Sequence, residues 1–183
     1  MTTKPLTCPQ PSNINPLQGN GFRFSITKLP EISFFVQRIN LPGMALPSAA
    51  MDTPFAKAPI PGEKLDFDDL QISFLIDEEM INYTALYNWL VALGFPKLHR
   101  QYTEYMGQDE INRYSELARN YSDGTLEIMN NSSNTCKIVQ FRDLVPIRLD
   151  SLDFNSSNND TEYLTCNCTF AFTYYEFVPN RYE

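Results

Sequence analysis

Between Phe22 and Thr27 apolar and polar residues alternate: Phe22, Phe24 and Ile26 point one way, Arg23, Ser25 and Thr27 the other. That period of two marks a half-buried strand over Gly21 to Lys28. Ser33 to Ile39, with Phe34, Phe35 and Val36, is dense enough to meet apolar surface on both faces. Leu29-Pro30 turns the chain between them, so the two segments are expected to form a hairpin. Leu65 and Phe67 share one parity and Leu70, Ile72, Phe74 and Ile76 the other, which predicts a bulge at Asp68-Asp69. Thr125 to Met129 and Lys137 to Phe141 flank Asn130 to Asn134 and predict a hairpin, with a further extended stretch over Leu144 to Phe154 and a polar loop over Asn155 to Asp160. Near the C-terminus Leu164, Cys166, Cys168, Phe170, Phe172 and Tyr174 fall on one face of a long strand that is expected to bend.

One segment has the helical period instead. Ile81, Ala85, Leu86, Trp89, Leu90 and Leu93 form a stripe over Asp77 to Leu93. Asp77 serves as N-cap, Glu78 and Glu79 suit the positive end of the helix dipole, and Gly94 and Pro96 end it. Asp109 to Arg119 is compatible with a short second helix inside a Tyr-rich insertion, 97–122. Strands, one helix, then strands argue a mainly β fold, an antiparallel sandwich or barrel with one flanking α-helix.

Ten of the 13 prolines fall in the first 61 residues, which therefore hold arms, loops and short strands. Residues 1–20 read as an extended N-terminal arm, either loose or strapped over a neighbour, and 179–183 as a short tail. The body is one domain, 21–178. Within it 40–62 reads as a long loop that nonetheless carries Met44, Leu46, Met51, Phe55 and Ile60. Linkers lack such residues, so these five are candidate contacts with another subunit. The alternative is a loop folded back on its own domain.

Charge and chemistry narrow the function. With 14 Lys+Arg against 22 Asp+Glu the net charge is −8, a poor basis for gripping nucleic acid. The four cysteines form no CxxC pair and read as buried small apolar groups. His99 is the single histidine, and no nucleophile elbow, P-loop, dinucleotide fingerprint or zinc-protease motif occurs, so an enzyme is not expected. Asp66, Asp68 and Asp69 lack calcium-loop spacing and read as solvated charge. No cofactor or metal is expected. The N-terminus lacks a signal pattern and no apolar run approaches membrane-spanning length, so cytoplasmic assembly without membrane insertion is expected.

Several short pieces together resemble a family. Leu41-Pro42 after the second strand, the step Gly62, Phe67, Asp69 into the strand before the helix, Trp89 on that helix and the aromatic close Phe170 to Phe177 are similar to the tail-tube proteins of contractile phages. Gly21 to Ile26, Asp77-Glu78, Tyr87 to Leu90 and Leu93 to Pro96 resemble small virion proteins of T4-like phages of cyanobacteria and marine bacteria. The likeness spans roughly residues 13 to 178. It implies a barrel-like sandwich, rings of six copies that stack through extended loops into a DNA-conducting tube, and sheath, baseplate or neck proteins as partners. It equally covers tube initiators and tail completion, terminator or adaptor proteins of the same fold. On that reading Asp66, Asp68 and Asp69 are candidate lumen acids that repel DNA, and Glu78, Glu79, Asn82 and Tyr83 a candidate outer contact. A carbohydrate-binding sandwich using the Tyr-rich 97–122 stretch is the more distant alternative.

Overall fold

The computed structural model describes residues 14–52, 55–94, 120–155 and 163–178. In chain order the strands are β1 (Phe22–Ile26), β2 (Val36–Ile39), β3 (Met44–Ala45), β4 (Ser48–Asp52), β5 (Lys57–Pro61), β6 (Asp66–Phe67) and β7 (Leu70–Leu75). The helix α1 (Ile81–Gly94) follows, then β8 (Ser122–Met129), β9 (Thr135–Leu149), β10 (Thr165–Ala171) and β11 (Tyr174–Val178). Every ladder among them is antiparallel. The fold is thus mainly antiparallel β with one helix, as the period-two pattern implied.

Two layers share the long strand β9. Its first half lies between β8 and β11, with β1 beyond β8. Its second half pairs with β10, which continues through β7 to β2. The change of layer falls at Asp143, whose φ of 58° is left-handed. That twist inverts side-chain parity: Val139 and Phe141 are buried before it, Leu144 and Pro146 after it. The segments read separately as Lys137 to Phe141 and Leu144 to Phe154 are thereby largely one bent strand. The closing strand also bends, as expected. It breaks between Ala171 and Tyr174, and Tyr175 rather than Tyr174 then turns toward the core.

The core joins both layers. Phe24, Ile26, Leu126, Val139 and Phe141 come from one, Leu70, Ile72, Phe74, Cys166, Cys168 and Phe170 from the other. Burying a large apolar side chain contributes roughly 1.5–3 kcal/mol, so this cluster dominates folding. α1 adds Leu86, Trp89 and Ala92 to the buried set. Gly124 sits where β8 crosses this core: a Cβ there would collide with Leu144 Cδ1 and touch the Phe24 ring at 3.4 Å.

Four expectations need correction. The first two strands do not form a hairpin: β1 pairs with β8 and β2 with β7. Between them Pro30–Phe34 winds a turn of 3-10 helix, and Phe34 ends up 88% exposed. The break at Asp68-Asp69 is more than a bulge, because β6 leaves the body to pair with β3 while β7 enters the body sheet. The loop 40–62 is largely β structure, built from β3, β4 and β5. The helix starts at Ile81 rather than Asp77, since Asp77 to Met80 closes a turn in which the Met80 N–H donates to the Asp77 carbonyl at 2.9 Å. The possible helix over Asp109 to Arg119, His99, Cys8 and residues 179–183 lie outside the described residues, as does most of the Tyr-rich 97–122 insertion.

Candidate assembly surfaces

From Pro42 to Asp69 the chain leaves the body as a spur made of two short ladders in series. β3 and β6 form its root, with Met44 opposite Phe67 and Ala45 opposite Asp66. β4 and β5 form its outer part. All five β4 residues and every β5 residue except Ala58 are exposed. The five candidate contacts lie along this spur and none is buried; Phe55 is 99% exposed. The segment therefore does not fold back on its own domain. Leu65, 54% exposed, joins them; the sequence reading had assigned it to a strand face.

Opposed residues in a ladder share a face. Ala49 with Ile60 and Met51 with Ala58 make one face apolar, while Ser48, Ala50, Asp52, Lys57, Pro59 and Pro61 make the other. Glycine is required at Gly62, where a Cβ would meet the Pro47 carbonyl oxygen at 2.7 Å; at Gly43 a Cβ would meet only the end of the exposed Asp68 side chain, which can swing aside.

The spur is clamped where it leaves the body. Asn40 donates from Nδ2 to the Asp69 carbonyl at 3.1 Å and accepts at Oδ1 from the Gln71 N–H at 2.6 Å. The Tyr175 hydroxyl donates to the Pro42 carbonyl at 3.3 Å. Phe67 packs against Phe172 and Tyr175 with ring centroids 5.7 and 5.4 Å apart. Asp66, Asp68 and Asp69 follow one another along this root and all are exposed.

The helix face needs a correction. Glu78 and Glu79 are exposed, but Asn82 is buried and donates from Nδ2 to the Leu75 carbonyl at 2.8 Å, and Tyr83 is half-buried. The buried face differs from the apolar stripe: Asn82, Leu86 and Trp89 face inward, and Ile81 is 48% exposed. Asp77 still caps from outside the helix, accepting from the Ile81 and Asn82 N–H groups at 3.0 Å. Partial desolvation pushes its carboxyl up, but those N–H groups outweigh it and hold it below the ordinary 3.8.

Among the described residues no group of three or more His, Cys, Asp or Glu could hold a metal ion. Burial pushes the Cys166 thiol up to about 11 and raises Cys168 further, opposite to the shift that activates a thiolate. No described helix is long and apolar enough to cross a membrane.

No family model matches the chain. Its architecture matches chains of contractile particles. A chain of the anti-feeding prophage baseplate, solved with 6-fold symmetrisation, superposes with a TM-score of 0.57 at 10% identity, covering 90% of this chain and 96% of that one. The tube-terminating cap of the same prophage superposes with a TM-score of 0.57 at 11% identity, covering 97% of this chain and 100% of the cap. The chain thus has the tail-tube fold of contractile tails. In sequence it is similar to the tail tube terminator protein of Enterobacteria phage T4, 23% identical over 144 residues, or 76% of this chain and 74% of the relative.

Proposed function

We propose that the chain is the terminator of a contractile phage tail tube, a ring that seats on the last tube ring and stops its growth. The sequence likeness to a tail tube terminator over about three quarters of both chains carries this reading. The fold alone does not discriminate, because a baseplate chain and a tube-terminating cap match it equally well. A repeating tube subunit, the first expectation from the sequence, comes second to this reading because the sequence likeness is to a terminator.

In this role the body strands build the ring wall, six copies on the symmetry that the family resemblance implies. The spur carries apolar side chains that only a neighbour can bury. Sheath, neck or tube proteins of the same tail are its partners, the virion tail its location and the host cytoplasm its place of assembly. No catalytic step is assigned to it. The net charge of −8 suits a passage that DNA crosses without being held, because like charge is felt to about 8 Å at physiological salt.

Electron microscopy of the purified protein, alone and mixed with tubes of the cognate tube subunit, tests this. Single rings alone, and one ring at one end of tubes that no longer elongate, are expected. Long tubes built from this protein alone would return it to the repeating-subunit reading.

A further inference from the structure

Each layer of the body turns one face to the core and one outward, and the two outward faces differ in charge. In the layer of β1, β8, β11 and the first half of β9 the outward arginines sit beside carboxylates. Arg23 stands opposite Glu127, and Arg142 bonds Asp123 at 2.8 Å and Glu176 at 3.5 Å. In the layer of β2, β7, β10 and the second half of β9, ladder pairing sets a different group side by side. Arg38 and Asn167 both lie opposite Ser73, and Gln71 and Arg148 both lie opposite Thr169. The alternate residues, Ile72, Phe74, Cys168 and Phe170 among them, fill the core. Arg38 is exposed and makes no ion pair with a described residue. Arg148, its side chain 74% exposed, donates from Nε to Asp150 at 2.8 Å. Asp150 is the one carboxylate lining this face, and Asn167 Nδ2 donates to its other oxygen at 3.2 Å.

We infer that this second face is a contact surface for the phosphodiester backbone of DNA. It forms a groove of about 360 Å³ whose one apolar lining residue among those described, Ile72, is 1% exposed. Protein interfaces bury an apolar centre, and this face has none to offer. Arginines flanked by amide and hydroxyl donors are instead the groups that meet phosphate oxygens, and a guanidinium can pair with them through two parallel hydrogen bonds. Charge selects the same partner. Two arginines against one carboxylate leave one positive charge in excess on this face, in a chain whose net charge is −8. A polyanion is therefore drawn to this face and repelled by the chain as a whole.

The contact is weak and blind to sequence. Backbone contacts carry no base information. Because Arg148 is shared with Asp150, one copy neutralises about one to two phosphates, and affinity falls steeply with salt. Such a face steadies DNA without arresting it. The inference rests on the proposed role for its choice of DNA as the polyanion. Binding of DNA and capping of tubes are separate measurements, so either can fail while the other holds.

Fluorescence anisotropy of a labelled DNA duplex titrated with the full chain, at rising salt, is the direct test. Binding at low salt that fades toward physiological salt is expected, with equal affinity for a second duplex of unrelated sequence. Arg38→Gln combined with Arg148→Gln is expected to weaken it at least about tenfold and to flatten the salt dependence by about one to two in slope, with Tm unchanged. Arg23→Gln removes the same charge from the other layer and is expected to leave binding unchanged. A photoreactive side chain at position 169 should capture the duplex, and one at position 140 should not. No binding at low salt, parent-like binding of the double variant, or equal weakening by Arg23→Gln would each overturn the inference. So would polyglutamate bound more tightly than the duplex, which would assign the face to an acidic protein.

Discussion

The body and the spur are made by one chain under opposite rules. In the body large apolar groups lie inside: Phe24, Phe74, Phe141, Phe170 and Trp89 are each at most 1% exposed. In the spur Met44, Leu46, Met51, Phe55, Ile60 and Leu65 all lie outside. Scattered exposed apolar residues need no explanation, but a run of them along one exposed element makes it a candidate contact surface. The body has a buried core, although Phe34, Ile147, Phe154 and Phe177 stay exposed on it, whereas the spur has backbone order and no core of its own. Its order comes from two ladders, Gly62 and the clamp of Asn40 and Tyr175. If the chain assembles as proposed, stability and assembly are written on separate residues, and substitutions should separate them.

The largest effect is expected at Trp89. Its ring is fully buried and lies 6.3 Å from Phe170 between centroids. Its Nε1 donates to the Asn120 carbonyl at 3.3 Å, and Lys28 Nζ stands 5.4 Å from the ring centroid. Trp89→Ala removes these contacts and leaves a cavity, at a cost of about 3–5 kcal/mol. Denaturant unfolding should show the loss across the whole body. A loss below about 1 kcal/mol would mean the helix is not integral to the core.

A smaller effect is expected at Asp77, where it depends on pH. The folded carboxyl titrates below 3.8, so its contribution is present above the unfolded value and is lost as pH falls through the folded one. Asp77→Ala removes the cap at neutral pH and should flatten the stability curve between about pH 5 and pH 2. Thermal melts of both proteins over that range measure this. Parallel curves would show that the cap contributes nothing.

Much of the body was legible because its strands are half-buried and alternate. Phe22 to Ile26 and Cys166 to Phe170 read correctly for that reason. What stayed illegible follows from backbone events that apolar periodicity does not encode. The left-handed turn at Asp143 inverts parity inside one strand, and the helix buries Asn82 while leaving Ile81 exposed. Strand partners were hidden as well: adjacency of β1 and β2 in the chain suggested a hairpin, yet β1 pairs with β8 and β2 with β7, each far along the chain. The spur residues were visible as apolar groups in a proline-rich stretch, but prolines 59 and 61 concealed a strand. They fit one only because they sit on its outward edge.

The smallest effect on stability is expected at the spur, where the effect on assembly is expected to be complete. Leu46 is 48% and Phe55 99% exposed, so replacing both with Asp removes almost nothing from the core. Surface changes of this kind usually stay within about 0.5 kcal/mol. If a neighbouring subunit buries these side chains, the same change places two carboxylates in an apolar contact, where an unpaired charge is costly. The double variant should therefore melt with the parent protein yet fail to seat on tube ends in electron micrographs. Normal seating would show that the apolar side chains of the spur are incidental to assembly. Loss of both stability and seating would instead show that the spur is coupled to the core through its clamped root, and that the two regions do not obey separate rules.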